Sequence, residues 1–141
     1  MRIWTATAAV FLITVSSVLA DDIQDRQAAM DQIRVGAATL VPMLKGDKEF
    51  NADVAALALR MTYAGSIAFQ GKFPEGSNSK GANPAIWQDK PDFDAKVADF
   101  KADAHHAVEN LPGSLDQLKA VYQPLLQDCA ACHKLYRIKD N

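Results

Sequence analysis

The chain has little of what would point to most functional classes. It holds two cysteines and three histidines. Two cysteines cannot build a disulfide framework of the kind that staples small secreted domains. They also cannot build a four-cysteine zinc site, since zinc asks for four ligands and only His105, His106 and His133 remain to complete one. Neither sign of charge is in excess: 15 Lys and Arg face 17 Asp and Glu, for a formal net charge of −2. That balance argues against nucleic-acid binding through a basic face. There is no internal repeat, no low-complexity tract and no convincing strand pattern. No nucleophile–base pair stands at a recognisable spacing, so the chain reads as a carrier or binder, not an enzyme. Beyond the first 20 residues, no run is long and apolar enough to span a bilayer.

What is present is concentrated near the C-terminus, in Cys129-Ala130-Ala131-Cys132-His133. Two cysteines three apart with a histidine directly after them form the attachment signature of a c-type haem. Positions i and i+3 share one helical face, so both thiols can form thioethers with one macrocycle. The next residue then projects an imidazole at the iron, which makes His133 the proximal ligand. A disulfide or redox dithiol is the competing reading, and zinc comes after it.

Residues Met1–Ala20 have the form of a secretory signal. Arg2 supplies the positive start, residues 8–15 the apolar stretch, and Val18-Leu19-Ala20 the small-residue cleavage site. The apolar run is shorter than the ~20 residues a spanning helix needs, and Asp21-Asp22 follows at once. Cleavage is expected after Ala20, with membrane anchorage as the alternative, leaving residues 21–141 as one domain in the periplasm. Export and covalent haem attachment agree, because in bacteria the attachment takes place on the exported side.

Four amphipathic segments fill that domain. The first spans about Ile23 to Leu44, with a stripe of Ile23, Met30, Ile33, Ala37, Leu40, Val41 and Leu44; Gly46 stops it. Asn51 caps the second, with stripe Val54, Leu57, Met61, Ala64 and Ala68. Residues 71–91 form a long irregular crossover in which Ile86-Trp87 should tuck against the bundle. The third helix covers about Asp92 to Asn110, on Phe93, Val97, Phe100, Ala104, Val108 and Leu111. Ser114 caps the fourth, on Leu115, Leu118, Tyr122, Leu125, Cys129, Cys132 and Tyr136, with a kink expected at Pro124. The expected fold is all-α, an antiparallel up-down-up-down four-helix bundle. Both cysteines share the stripe of the core leucines, so a haem would enter the interior.

The topology suggests a sixth ligand. The first and fourth helices run antiparallel, so His133 near one terminus and Met30 near the other both lie on the order of 10 Å from one end of the bundle. Methionine sulfur suits low-spin haem iron, though methionine is also a common core filler. Arg26, one turn before Met30, is a candidate partner for a haem propionate, with a solvated surface arginine as the alternative. Arg137 shares His133's helical face and is a candidate contact to the proximal side or a propionate. His105 and His106 fall outside their helix's apolar stripe and read as surface residues.

Taken together, Cys129-Ala-Ala-Cys132-His133-Lys-Leu-Tyr136-Arg137, Arg26-Gln27-x-x-Met30, Lys45-Gly46, Phe73-Pro74-Glu75-Gly76 and Pro84-x-Ile86-Trp87 resemble the cytochrome c prime family. The resemblance covers essentially the whole mature chain. It implies one covalent haem c (heme c) in a periplasmic four-helix bundle, often dimeric through the first two helices, that exchanges electrons with redox partner proteins. The family has two branches. A high-spin branch leaves the iron five-coordinate and binds nitric oxide or carbon monoxide. A low-spin branch, typified by cytochrome c-556, takes a first-helix methionine as sixth ligand. Gln123-Pro124 and Lys45-Gly46-Asp47-Lys48 resemble the low-spin branch. Arg26-Gln27 resembles the high-spin one, where that pair approaches the haem, so Gln27 joins the cofactor contacts by resemblance. Gly81-Ala82 lacks the polar side chains that some high-spin relatives place against the haem. The expectation is a His133/Met30 electron carrier, with a five-coordinate gas binder as the alternative. Small residues on the first two helices, Gly36, Ala38, Ala55, Ala56 and Ala58, are expected to permit a close dimer contact.

Overall fold

The computed structural model describes residues 10–138, with side chains from residue 19 onward. Residues 1–9 of the expected leader, and residues 139–141, lie outside the described residues. Five helices follow one another: α1 Val10–Lys45, α2 Ala52–Phe69, α3 Ala85–Gln88, α4 Lys90–Glu109 and α5 Leu115–Tyr136. The four long ones form the bundle. α1 packs on α2, α2 on α4, α4 on α5, and α5 closes back onto α1. The α5–α1 seam is the sparsest of the four.

Caps explain the boundaries. Asn51 and Ser114 sit in extended conformation, and their side chains accept from Val54 N and Gln117 N, satisfying otherwise orphaned donors. Gly46 ends α1 at φ +80°, where Asp47 N donates to Pro42 O at 2.9 Å. α1 begins well before the expected Ile23, because the apolar residues ahead of it also favour helix; it is continuous across Ala20. α5 continues through Pro124. No helix among the described residues is long and apolar enough to cross a membrane.

The second helix corrects the sequence reading. Val54 and Leu57 point outward, Leu57 at 60% exposure, with Ala64 and Ala68 exposed beside them and Met61 half-buried. The inward face is Ala55, Ala58, Leu59, Thr62, Gly65 and Ser66. The reason is the α1–α2 seam, which selects small residues rather than large ones. A Cβ on Gly36 would lie 2.3 Å from Thr62 Oγ1, and one on Gly65 would lie 2.7 Å from Ile33 Cγ1. The buried hydroxyls return to their own helix: Thr62 Oγ1 donates to Ala58 O and Ser66 Oγ to Tyr63 O. Gly36, Ala55 and Ala58 are therefore spent inside the chain and are not available to a dimer contact. Leu111, expected in the stripe of the third long helix, is exposed beyond its end, because α4 stops at Glu109.

The core is in two parts. One cluster gathers Leu40, Met43, Leu59, Ala104, Leu118, Tyr122 and Leu125. The other gathers Phe73, Ile86, Phe93, Val97 and Tyr136, with Cys132 packed against it. Phe93 meets Phe73 and Tyr136 edge-on at centroid separations of 4.7 and 5.2 Å. The crossover supplies Phe73, Ile86 and Trp87 to this second cluster, and Trp87 Nε1 donates to Pro74 O at 3.0 Å.

Candidate haem site

On α5 the break between the two clusters falls at the attachment motif. Leu125 belongs to the first cluster and Tyr136 to the second, while Cys129 and Cys132 lie between them, half-buried. Ala130, Ala131 and Lys134 are exposed, so the helical turn points both thiols inward. Neither cysteine is in a disulfide. Burial pushes the Cys129 thiol up to about 11, with the Asp128 charge adding to it. Cys132 is also raised, again mainly by burial. Among the described residues no group of three or more His, Cys, Asp and Glu is placed to hold a metal ion, which weighs against the zinc reading.

His133 is half-buried at the end of the motif. Burial, then the Arg137 charge, lowers its basicity. The imidazole is thereby held neutral, the form that ligates a metal. Arg137 itself is exposed at the C-cap of α5. Met30 is half-buried on α1, the neighbour of α5 across the sparse seam, flanked by the buried Ala29 and Ile33. Gln27 is exposed. His105 and His106 are at the surface, His105 against the Tyr63 ring at 5.0 Å.

Arg26 is 3% exposed, far from a solvated arginine. Its Nη1 donates to Lys72 O at 3.1 Å and Ser77 Oγ at 2.8 Å; its Nη2 donates to Ser77 O at 2.5 Å and Ser79 Oγ at 2.9 Å. The guanidinium also sits 4.6 Å from the centre of the Phe73 ring. All four of these oxygens belong to the crossover. Burial lowers its pKa and the Asp22 charge partly offsets this, but an arginine stays charged throughout.

Three features had no sequence signal strong enough to read. The acceptors of Arg26 lie in an irregular Gly/Ser/Asn stretch. Tyr136 Oη donates to Asp92 Oδ2, which also receives α4's own Lys96 at its other oxygen. Asp128 carries a buried oxygen, Oδ2, with no hydrogen-bond partner. Its position just before Cys129, on the inner side of an amphipathic helix, was the one available clue.

These residues fit a covalent haem. Two inward thiols one turn apart, a neutral imidazole directly after them, and an aromatic and aliphatic wall against Cys132 suit a flat apolar macrocycle. The family described as "Cytochrome C'" matches residues 21–137. The chain belongs to the cytochrome c prime family. Among its relatives is cytochrome c-556 of Agrobacterium tumefaciens strain B2A, 35% identical over 121 residues, covering 85% of this chain and 99% of that one. Another is cytochrome c' of Rhodopseudomonas palustris, 31% identical over 122 residues, covering 84% and 83% respectively. The structure of cytochrome c prime from Shewanella frigidimarina superposes with a TM-score of 0.80 at 31% identity, covering 86% of this chain and 97% of that one. This is a c-type cytochrome, and its cofactor is covalent haem c.

Proposed function

We propose that the protein is a periplasmic single-electron carrier whose haem is held by thioethers at Cys129 and Cys132, with His133 and Met30 as axial ligands. The haem iron supplies the electron exchange when bound. The chain's part is to hold it at fixed geometry, limit water at the iron and set its potential. The observation that supports this reading is that Met30 and His133 are each half-buried, on two helices that share the sparse seam. The 35% identity to a cytochrome c-556 supports it. A thioether ligand opposite imidazole raises the potential and closes the iron to added ligands. Gln27 and Arg137 remain candidates for the rim of the cofactor, whereas both terminal nitrogens of Arg26 are engaged by the crossover.

The second reading is a five-coordinate gas binder with Met30 packed over an open face. A solved relative of the same fold is a nitric oxide complex of a cytochrome c prime mutant from Alcaligenes xylosoxidans, at TM-score 0.76 and 25% identity. The ferric spectrum separates the two. A low-spin spectrum with the far-red methionine-to-iron band supports the carrier; a high-spin spectrum without that band gives the lead to the gas binder.

Export and dimerisation belong to the same proposal. Cleavage after Ala20 yields a mature protein starting at Asp21, which intact-mass measurement reads directly. The dimer face is the outward side of α1 and α2, where Val35, Val54 and Leu57 are exposed. An apolar patch of this kind marks an interaction surface.

A further inference from the structure

Among the described residues, no hydrogen bond joins α1 directly to α5. The crossover joins them instead. At one end it is tied to α1 by the four Arg26 hydrogen bonds, and by Lys72 Nζ donating to Asp22 at 3.1 Å and Asp25 at 2.7 Å. At the other end it is tied to the C-terminal end of α5 and the residues just after it: Asn83 N donates to Tyr136 O at 3.0 Å, and Ile138 N donates to Gly81 O at 3.1 Å. The span between is stiffened internally. Ser77, fully buried, donates through Oγ to Pro74 O at 2.8 Å, and Ala82 N donates to Ser79 O at 3.1 Å. Arg26 stands one helical turn before Met30. Tyr136 stands almost one turn after His133. The strap therefore grips both helices close to the residues that would bind the iron.

We propose that Arg26 is a positioning residue: through the crossover strap it fixes how far the helix carrying Met30 stands from the helix carrying His133. The proposal rests on the haem reading above. Its physical basis is the guanidinium fork. A planar cation with donors on two nitrogens can hold Lys72 O, Ser77 and Ser79 at once, and a lysine ammonium cannot reproduce that spread. Burial makes the bonds costly to break, because each acceptor and the charge would then be left unpaired. The α1–α5 seam has little packing of its own to resist separation. A thioether–iron bond is short, so a small outward drift of α1 breaks it.

The test cuts the strap at opposite ends in the haem-loaded protein. Arg26→Lys keeps the charge and loses the fork. Ile138→Pro removes the N–H given to Gly81 O, at an exposed position two residues past the end of α5. Each is expected to increase the high-spin fraction and to speed carbon monoxide association on the order of tenfold. The double variant should be no faster than the faster single one, since both changes loosen the same strap in series. If Arg26→Lys changes the rate and Ile138→Pro does not, the effect of Arg26 does not run through the strap and the proposal is overturned. Additive effects, or no change in any variant, overturn it equally. Should Arg26→Lys fail to fold by far-ultraviolet dichroism, Ser79→Ala replaces it, removing one half-buried acceptor. A high-spin spectrum in the unmodified protein would refute Met30 ligation alone. The carbon monoxide rate still reads the strap in that case, because Met30 then obstructs the open face.

Discussion

Tyr136 donates its phenolic hydroxyl to Asp92, binding the end of α5 to the start of α4 three residues past His133. The same ring packs edge-on against Phe93. One side chain thus closes the aromatic cluster and anchors the haem-bearing helix. The carboxylate holds the Tyr136 hydroxyl protonated, pushing it up to about 12. In return the Tyr136 hydrogen bond, then Lys96, holds the Asp92 carboxyl below its usual range.

Tyr136→Phe is expected to lower the melting temperature at pH 7 while leaving the cluster packed. A depressed carboxylate contributes stability that is present above its unfolded value and lost as pH falls through the folded one. The gap between parent and variant should therefore be full at neutral pH and close below about pH 4. Thermal melts across that range check it.

Gly36→Ala should destabilise the fold by roughly 1–3 kcal/mol, since the added methyl overpacks the α1–α2 seam. It would meet both Thr62 Oγ1 at 2.3 Å and Ala58 O at 2.9 Å. Adding Thr62→Ala should recover only part of the loss, because the backbone oxygen cannot move aside independently. Denaturant titration of the two variants measures the difference.

Asp128 titrates near 6, raised first by burial and then by Asp103 and Asp99 across the α4–α5 seam. Its proton favours the folded state. The contribution of Asp128 to stability is therefore highest below the unfolded value near 4, falls as pH rises to about 6, and is level above. Asp128→Asn should flatten that slope and raise the melting temperature at pH 8. A stability difference between parent and Asp128→Asn that does not change between about pH 4 and about pH 6 would refute the assignment.

Met30→Ala is expected to convert a low-spin ferric spectrum to high-spin and to open the iron to carbon monoxide. Binding that is equally slow in parent and variant would remove Met30 from the coordination sphere.

Leu57→Glu places a charge at the centre of the outward face of α2, where Leu57 is 60% exposed. It should convert a dimer to a monomer in light scattering without lowering stability. A parent that is monomeric at micromolar concentration excludes this face as the contact.

Some of this was legible from residues alone, because it is local. The attachment motif needs only a three-residue spacing and an adjacent histidine. Asn51 and Ser114 cap their helices by bonds to donors three residues on, and the stripes of α4 and α5 follow from their periodicity. The inward face of α2 was not legible. That helix is apolar on nearly every side, so periodicity permits two stripes, and the choice was made by α1, whose Gly36 admits Thr62 and leaves Leu57 outside. Arg26 was equally undetermined. A lone arginine one turn before Met30 looks the same in sequence whether it faces water, a propionate or four oxygens of the crossover. Only the fold brings residues 72–79 over it, since those partners lie some fifty positions away and carry no pattern of their own. Short-range chemistry is written in spacing; the selection among equivalent faces and partners is made by packing at long range.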